Sequence, residues 1–157
     1  MQDLIRDALK GHAAEYAEIR LEESENTHLT YRGRNLEEIN RTRSKGGCVR
    51  ALVKGGWGFV SFNNFDELKE KVDLAVRQAR LVGNEQSMLI HRDPIEIVVP
   101  ASVKKDPLSI PLVEKKRLFD EYTEIIWSTP QIQTSSIGYG DGKKRIVFGN
   151  TEGSLID

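Results

Sequence analysis

This 157-residue chain is poor in the residues that usually announce chemistry. It has one cysteine, three histidines and 7% aromatic residues. A lone Cys48 forms no internal disulfide and has no CxxC partner, which fits a reducing compartment and makes the cytoplasm the expected location. His12, His28 and His91 are too far apart in sequence for two imidazoles to share one helix face, so no helical zinc motif is present. No run of about 18 apolar residues exists, which excludes a membrane-spanning helix. The N-terminus carries acids where a secretory signal would carry a basic region and an apolar block. Charge of one sign is also missing: 23 basic residues face 24 acidic ones, for a net charge of −1. That balance argues against a nucleic-acid binder. The nearest basic patch is Arg41, Arg43, Lys45 and Arg50, with Glu37 and Glu38 just upstream, and it reads as a solvated sheet face.

What is present is a regular alternation of short elements. Leu4, Ile5, Ala8 and Leu9 have helical spacing, with Gly11 as a stop. YAEIRLEE (16–23) alternates with period two and predicts a half-buried strand. THLTY (27–31), a turn at RGRN (32–35) and LEEINRTR (36–43) predict two more strands, and Ser44-Lys45-Gly46-Gly47 predicts a break after them. CVRALVK (48–54), a Gly55-Gly56 turn and WGFVSF (57–62) complete a meander of about five short strands. Asn64, with Glu67 three residues on, predicts a capped helix, its apolar stripe running through Leu68, Val72, Ala75, Val76, Ala79 and Val82. Residues 84–94 read as irregular, PIEIVVP (94–100) as a short or edge strand, and KKDPLSIP (104–111) as a linker. From Leu112 a second helix is expected to bury Leu118, Tyr122, Ile125 and Ile126. Two strands around an Asp141-Gly142 hairpin turn follow, and then the start of a third strand that lacks a mate.

The expected fold class is α+β: an antiparallel β-meander packed against helices, forming a two-layer N-terminal unit followed by the start of a second α+β segment. The expected boundaries are 1–83, 84–111 and 112–157. Because the last strand stops without a cap or polar tail, the chain reads as part of a longer polypeptide. Lys45-Gly46-Gly47 and Lys54-Gly55-Gly56 each precede a strand and do not match a phosphate-binding loop. Carboxylates fall on outward strand positions or polar helix faces, and no acid–base pair stands out. From the residues alone, no catalytic, cofactor-binding or metal-binding residue is assigned.

The stretch GGCVRALVKGGWGFVSFNNFDELKEKVDLAVRQARLV (46–82) resembles the N-terminal domain of the TldD/PmbA family. GHAAEYAEIRLEE upstream is similar to the family's first strand. VEKKRLFDEYTEII, the strand with Gly138-Tyr139, and FGNTEGSLID are similar to its second helix and Asn-x-Glu-Gly hairpin. Tyr-Ala-x-x-Arg and Trp-Gly-Phe side with the TldD branch over the PmbA (TldE) branch. The resemblance implies the N-terminal, non-catalytic portion of a zinc metallopeptidase of peptides or unstructured segments, a family formerly labelled modulator of DNA gyrase. It implies a dimer with a PmbA/TldE-like subunit or with itself, with neither nucleic acid nor membrane as partner. The family's metal motif is a His-Glu-x-x-x-His helix with a distant cysteine. This sequence has no His-Glu pair and Cys48 lies in the wrong region, so zinc is expected only in a full-length protein. The alternatives are the same fold in a non-catalytic partner subunit and, third, a gyrase-associated regulator.

Overall fold

The computed structural model describes residues 1–87 and 89–157; of the irregular stretch expected at 84–94, residue 88 lies outside the described residues. The elements run α1 (Gln2–Ala8), β1 (Tyr16–Arg32), β2 (Asn35–Val53), β3 (Gly56–Phe62), α2 (Leu68–Val82), β4 (Glu96–Ile97), α3 (Leu112–Trp127), β5 (Ser136–Asn150) and β6 (Leu155–Ile156). A 3-10 turn at Pro107–Ser109 is capped by the Asp106 side chain, which accepts from the Leu108 N–H. One six-stranded sheet has the order β3-β2-β1-β5-β6-β4, so the fold is α+β. The β2–β3 and β5–β6 pairs are antiparallel and β4–β6 is parallel.

The chain divides into two compact units. Unit 1 holds Met1–Glu23, Ser44–Pro100 and Arg145–Asp157; unit 2 holds Ser24–Arg43 and Ala101–Lys144. In unit 1 the period-two pattern of β1 buries Ala17, Ile19 and Leu21 completely, and β2 adds Val49 and Ala51. The stripe of α2 covers them with Val72, Ala75, Val76 and Ala79, and α1 adds Ile5 and Ala8. Removing this much apolar surface from water is the main stabilising term of the unit. In unit 2, Leu29, Tyr31 and Phe119 form a smaller core edged by Leu36, Ile39, Ile137 and Tyr139.

Several sequence expectations are corrected. The meander has three strands where five short ones were expected, because residues 24–26 lie inside β1 and residues 44–47 inside β2. A Cβ at Gly47 would sit 2.4 Å from the Arg20 carbonyl oxygen and 2.8 Å from the Phe62 ring, so this glycine serves close packing and not a turn. The hairpin turn is Lys54-Gly55, with φ of 48° and 76°, one residue earlier than expected. Two positive φ values match the strand twist in a tight hairpin, and Lys54 is held there from its N–H by Glu15 Oε1 at 2.6 Å.

Asn64 does not cap α2; its side chain accepts from Lys71 Nζ at 2.9 Å, and Glu67, at φ 53°, is the N-cap without a side-chain bond. Val82 leaves the stripe and is exposed. Asp141-Gly142 is not a turn but the middle of the continuous strand β5. β6 has mates on both sides, with Gly149 opposite Leu155 on β5 and Leu155 opposite Glu96 on β4.

The largest correction concerns α3. Most of its expected stripe faces outward, with Leu118, Tyr122 and Ile125 44%, 46% and 66% exposed, and only Ile126 half-buried. The buried face is Lys115, Phe119 and Thr123.

Candidate functional site

The chemistry-bearing residues of unit 1 lie mostly on one face of its sheet. The register pairs Cys48 with Ser61, Arg50 with Phe59 and Leu52 with Trp57. Directly opposite residues share a face, so Cys48 and Arg50 lie with Trp57, Phe59 and Ser61. Trp57 and Phe59 are exposed, while Gly56 and Gly58 of the same strand are buried, which confirms the alternation read from WGFVSF. The Arg50 guanidinium stacks 4.5 Å from the Trp57 ring centroid, and Tyr16 meets the same ring edge-on at 6.2 Å. The Tyr16 hydroxyl donates to Glu18 at 2.7 Å. Burial first, and then this carboxylate, push the Tyr16 phenol up to about 12.

Beside this cluster, Arg20, Glu22, Ser44, Lys45, Gly46, Gly47 and Cys48 line a cavity of about 360 Å³. Burial, followed by the Glu18 charge, pushes the Cys48 thiol up, so it behaves as a small neutral side chain rather than an activated nucleophile. A second hollow of about 330 Å³ lies between α1 and the turn after β5, where Asn150 accepts from the Ser154 N–H at 2.9 Å.

Each histidine has a structural partner. The His12 ring, 2% exposed, bridges Asp73 on α2 and the Ala8 carbonyl of α1 at 2.8 and 2.5 Å. His28 meets Thr30 at 2.9 Å, and His91 lies 3.5 Å from Glu152. The basic residues each have a partner: Arg41 and Arg43 share Glu25 at 3.8 and 3.0 Å, Lys45 lies over the Phe65 ring, and Arg50 also reaches Glu18 at 3.4 Å. Among the described residues, no group of three or more His, Cys, Asp or Glu converges as a metal site.

Unit 2 contains a polar cluster that sequence reasoning missed. Lys115 on α3 and Asp141 on β5, 3% and 9% exposed, form an ion pair at 2.5 Å. The Tyr139 hydroxyl donates to the same Asp141 oxygen, and the Lys115 ammonium lies 5.7 Å from the Tyr139 ring. Burial raises the Asp141 carboxyl, but its bonds from Lys115 and Tyr139 outweigh this and hold it below the usual carboxylate range. Burial and the bond to Asp141 push the Tyr139 phenol up to about 12. The one available signal was a lysine among apolar residues at helical spacing. The Asp-Gly dipeptide concealed its partner, because it is also a hairpin signal.

An alkaline titration reports both clusters. Of the four tyrosines, Tyr16 and Tyr139 are expected to ionise only near pH 12, by ultraviolet tyrosinate absorbance. Their folded values lie above the ordinary phenol value of 10.0, so their contribution to stability is complete below about pH 10. It is lost as pH rises through 12. Ionisation of both groups near the ordinary value of 10.0 would show that neither phenol is held as described.

Residues 17–80 match the family model described as PmbA/TldA metallopeptidase domain 1. A metalloprotease of Synechocystis sp. is 34% identical over 146 residues, covering 92% of this chain and 32% of that protein. A metalloprotease of Methanocaldococcus jannaschii is 30% identical over 150 residues, covering 91% of this chain and 33% of its own length. The chain thus spans about a third of the length of the curated relatives it matches. TldE from Thermococcus kodakarensis shares the fold with a TM-score of 0.61 at 16% identity, covering 99% of this chain and 36% of that one. A Bacteroides thetaiotaomicron protein, provisionally described as a modulator of DNA gyrase, matches with a TM-score of 0.76 at 19% identity, covering 98% and 36%.

Proposed function

The match of residues 17–80, together with 34% identity to a metalloprotease over 92% of the sequence, places this chain in the PmbA/TldD metallopeptidase family, and from that premise we propose that it is the non-catalytic portion of a TldD-like zinc metallopeptidase acting on peptides or unstructured segments, shaping substrate access, pairing subunits, or both. The observation that carries this reading is the similarity to named metalloproteases across more than nine-tenths of the chain. In proteins three times this length, the metal-binding helix would lie outside the corresponding stretch. The cytoplasm is the proposed location. Among the described residues, no helix is long and apolar enough to cross a membrane.

The sheet offers a means of holding an extended substrate. β3 pairs with β2 from Gly47 to Val53, so among the described residues Asn35–Arg43 of β2, within unit 2, has a strand neighbour on the β1 side alone. An extended peptide adds to such an edge through backbone hydrogen bonds, largely independent of its sequence.

The second reading, a PmbA/TldE-like partner subunit, shares the fold and would pair with the enzyme without a metal of its own. The test uses the 157-residue chain beside a full-length version. The chain alone is expected to bind no stoichiometric zinc and to cleave no unstructured peptide, while the full-length protein does both, alone or mixed with its partner subunit. Chelator-sensitive cleavage by the 157 residues alone would overturn the non-catalytic assignment. A full-length protein that takes up no zinc would favour the partner subunit.

A further inference from the structure

Helix α3 is oriented against its own amphipathicity. Its outward side carries Val113, Leu118, Tyr122 and Ile125, all exposed, and its inward side carries Lys115, Phe119 and Thr123. Only Phe119 adds a large apolar side chain to the core of unit 2. Leu112, Ile126 and Trp127 are half-buried, and the other attachments are polar. Lys115 reaches Asp141, which also accepts from Tyr139 of β5. Asp120 accepts from Tyr31 of β1 and from its own helix neighbour Lys116 at 2.7 Å. At the C-terminal end, Trp127 Nε1 donates to Ser135 Oγ at 3.0 Å beneath the Arg34 guanidinium. In unit 1, by contrast, α2 buries five apolar side chains, Leu68, Val72, Ala75, Val76 and Ala79, with no charged group among them.

We infer that α3 is a latch on unit 2, closed by two carboxylate contacts, and that it opens on its own while the rest of the fold stays intact. Apolar burial is non-directional and survives small shifts of a helix. A buried ion pair depends on geometry, because displacement leaves both charges desolvated and unpaired. A helix held in this way therefore has a sharp closed state and little to retain it once the pair parts. Opening would uncover Leu29 and Tyr31 while the outer apolar stripe stays exposed throughout.

The groups that face the two carboxylates are few. Asp141 meets Lys115 from α3 and Tyr139 from β5, with Thr27 of β1 also lowering its carboxyl. Asp120 meets Lys116 and Tyr31. Both carboxyls lie below their ordinary value in the closed state, so the closing contribution is present above about pH 3.8 and is lost as pH falls further.

Hydrogen exchange of the full chain, followed by mass spectrometry, tests the latch. At neutral pH, amides of α3 are expected to exchange at least about tenfold faster than those of α2, through openings that leave α2 protected. Lys115→Met is expected to speed α3 on the order of 100-fold more while leaving α2 unchanged. The double variant Lys115→Met/Asp141→Leu, which replaces the pair with apolar groups, is expected to return α3 to wild-type rates or slower. It also supplies the reading if the single variant does not fold. Equal protection of α3 and α2 in the wild type would overturn the inference. So would a double variant in which α3 exchanges as fast as in the single.

Discussion

Lys115→Met is expected to lower the stability of unit 2 by about 3–5 kcal/mol, the usual cost of removing one member of a buried ion pair. The methionine fills most of the lysine's volume, so the loss is mainly electrostatic. Asp141, 9% exposed, would keep a charge in low dielectric with only the neutral Tyr139 and Thr27 hydroxyls beside it. Urea unfolding followed by tryptophan fluorescence separates the units, because Trp57 belongs to unit 1 and Trp127 to unit 2. In a Trp57→Phe background, the Trp127 transition should move to lower urea. Lys115→Met/Asp141→Leu should restore most of the lost stability, since an apolar pair of similar volume is often neutral or better. If the double variant is as unstable as the single, packing and not charge holds this position.

Gly58→Val should be as damaging for a different reason. A Cβ built at Gly58 lies 1.8 Å from the Ala75 carbonyl oxygen and 2.8 Å from the Ala79 nitrogen. Both belong to the α2 backbone, so no side-chain rotation relieves the clash. β3 and α2 must separate, and with them the contact that covers Val49 and Ala51. The cost should reach or exceed the upper end of the about 1–3 kcal/mol usual for overpacking. Gly138→Ala is the control, because a Cβ there meets nothing within 4 Å and its φ is not in the left-handed region. That change should be neutral or stabilise by about 0.4–1 kcal/mol through the unfolded chain. Calorimetry on the two variants decides the matter: comparable melting temperatures would show that α2 and β3 do not approach as described.

These two sites mark the limit of what local pattern reveals. The helix at 68–82 and the strand from Tyr16 were legible because one face of each is buried against apolar neighbours, and such burial imprints a period of 3.6 or 2 on the sequence. The Trp57–Phe62 return strand was legible for the same reason, including which side chains share a face. The signals that failed carry two meanings. Gly46-Gly47 and Asp141-Gly142 read as turns, since glycine permits positive φ. In the fold they are strand residues, placed where another backbone or side chain comes too close for a Cβ. Asn64 and Glu67 form a plausible cap by spacing, but the chain turns left-handed at Glu67 and the cap is lost.

The face of α3 shows the same division most clearly. Its apolar stripe predicts burial of Leu118, Tyr122 and Ile125, and those residues are exposed. No sequence window connects Lys115 to Asp141, 26 positions away, and that pair sets which side of the helix turns inward. By itself the sequence determined the class of the fold, the existence of its helices and most strands, and the kinship visible in KGGWGFVSFNN. Those properties follow from short-range sterics and from hydrophobic period. Only the tertiary structure decided where the hairpins turn, which glycines are contacts and which face of α3 is buried. Each of these depends on what a distant segment brings into van der Waals or hydrogen-bond range.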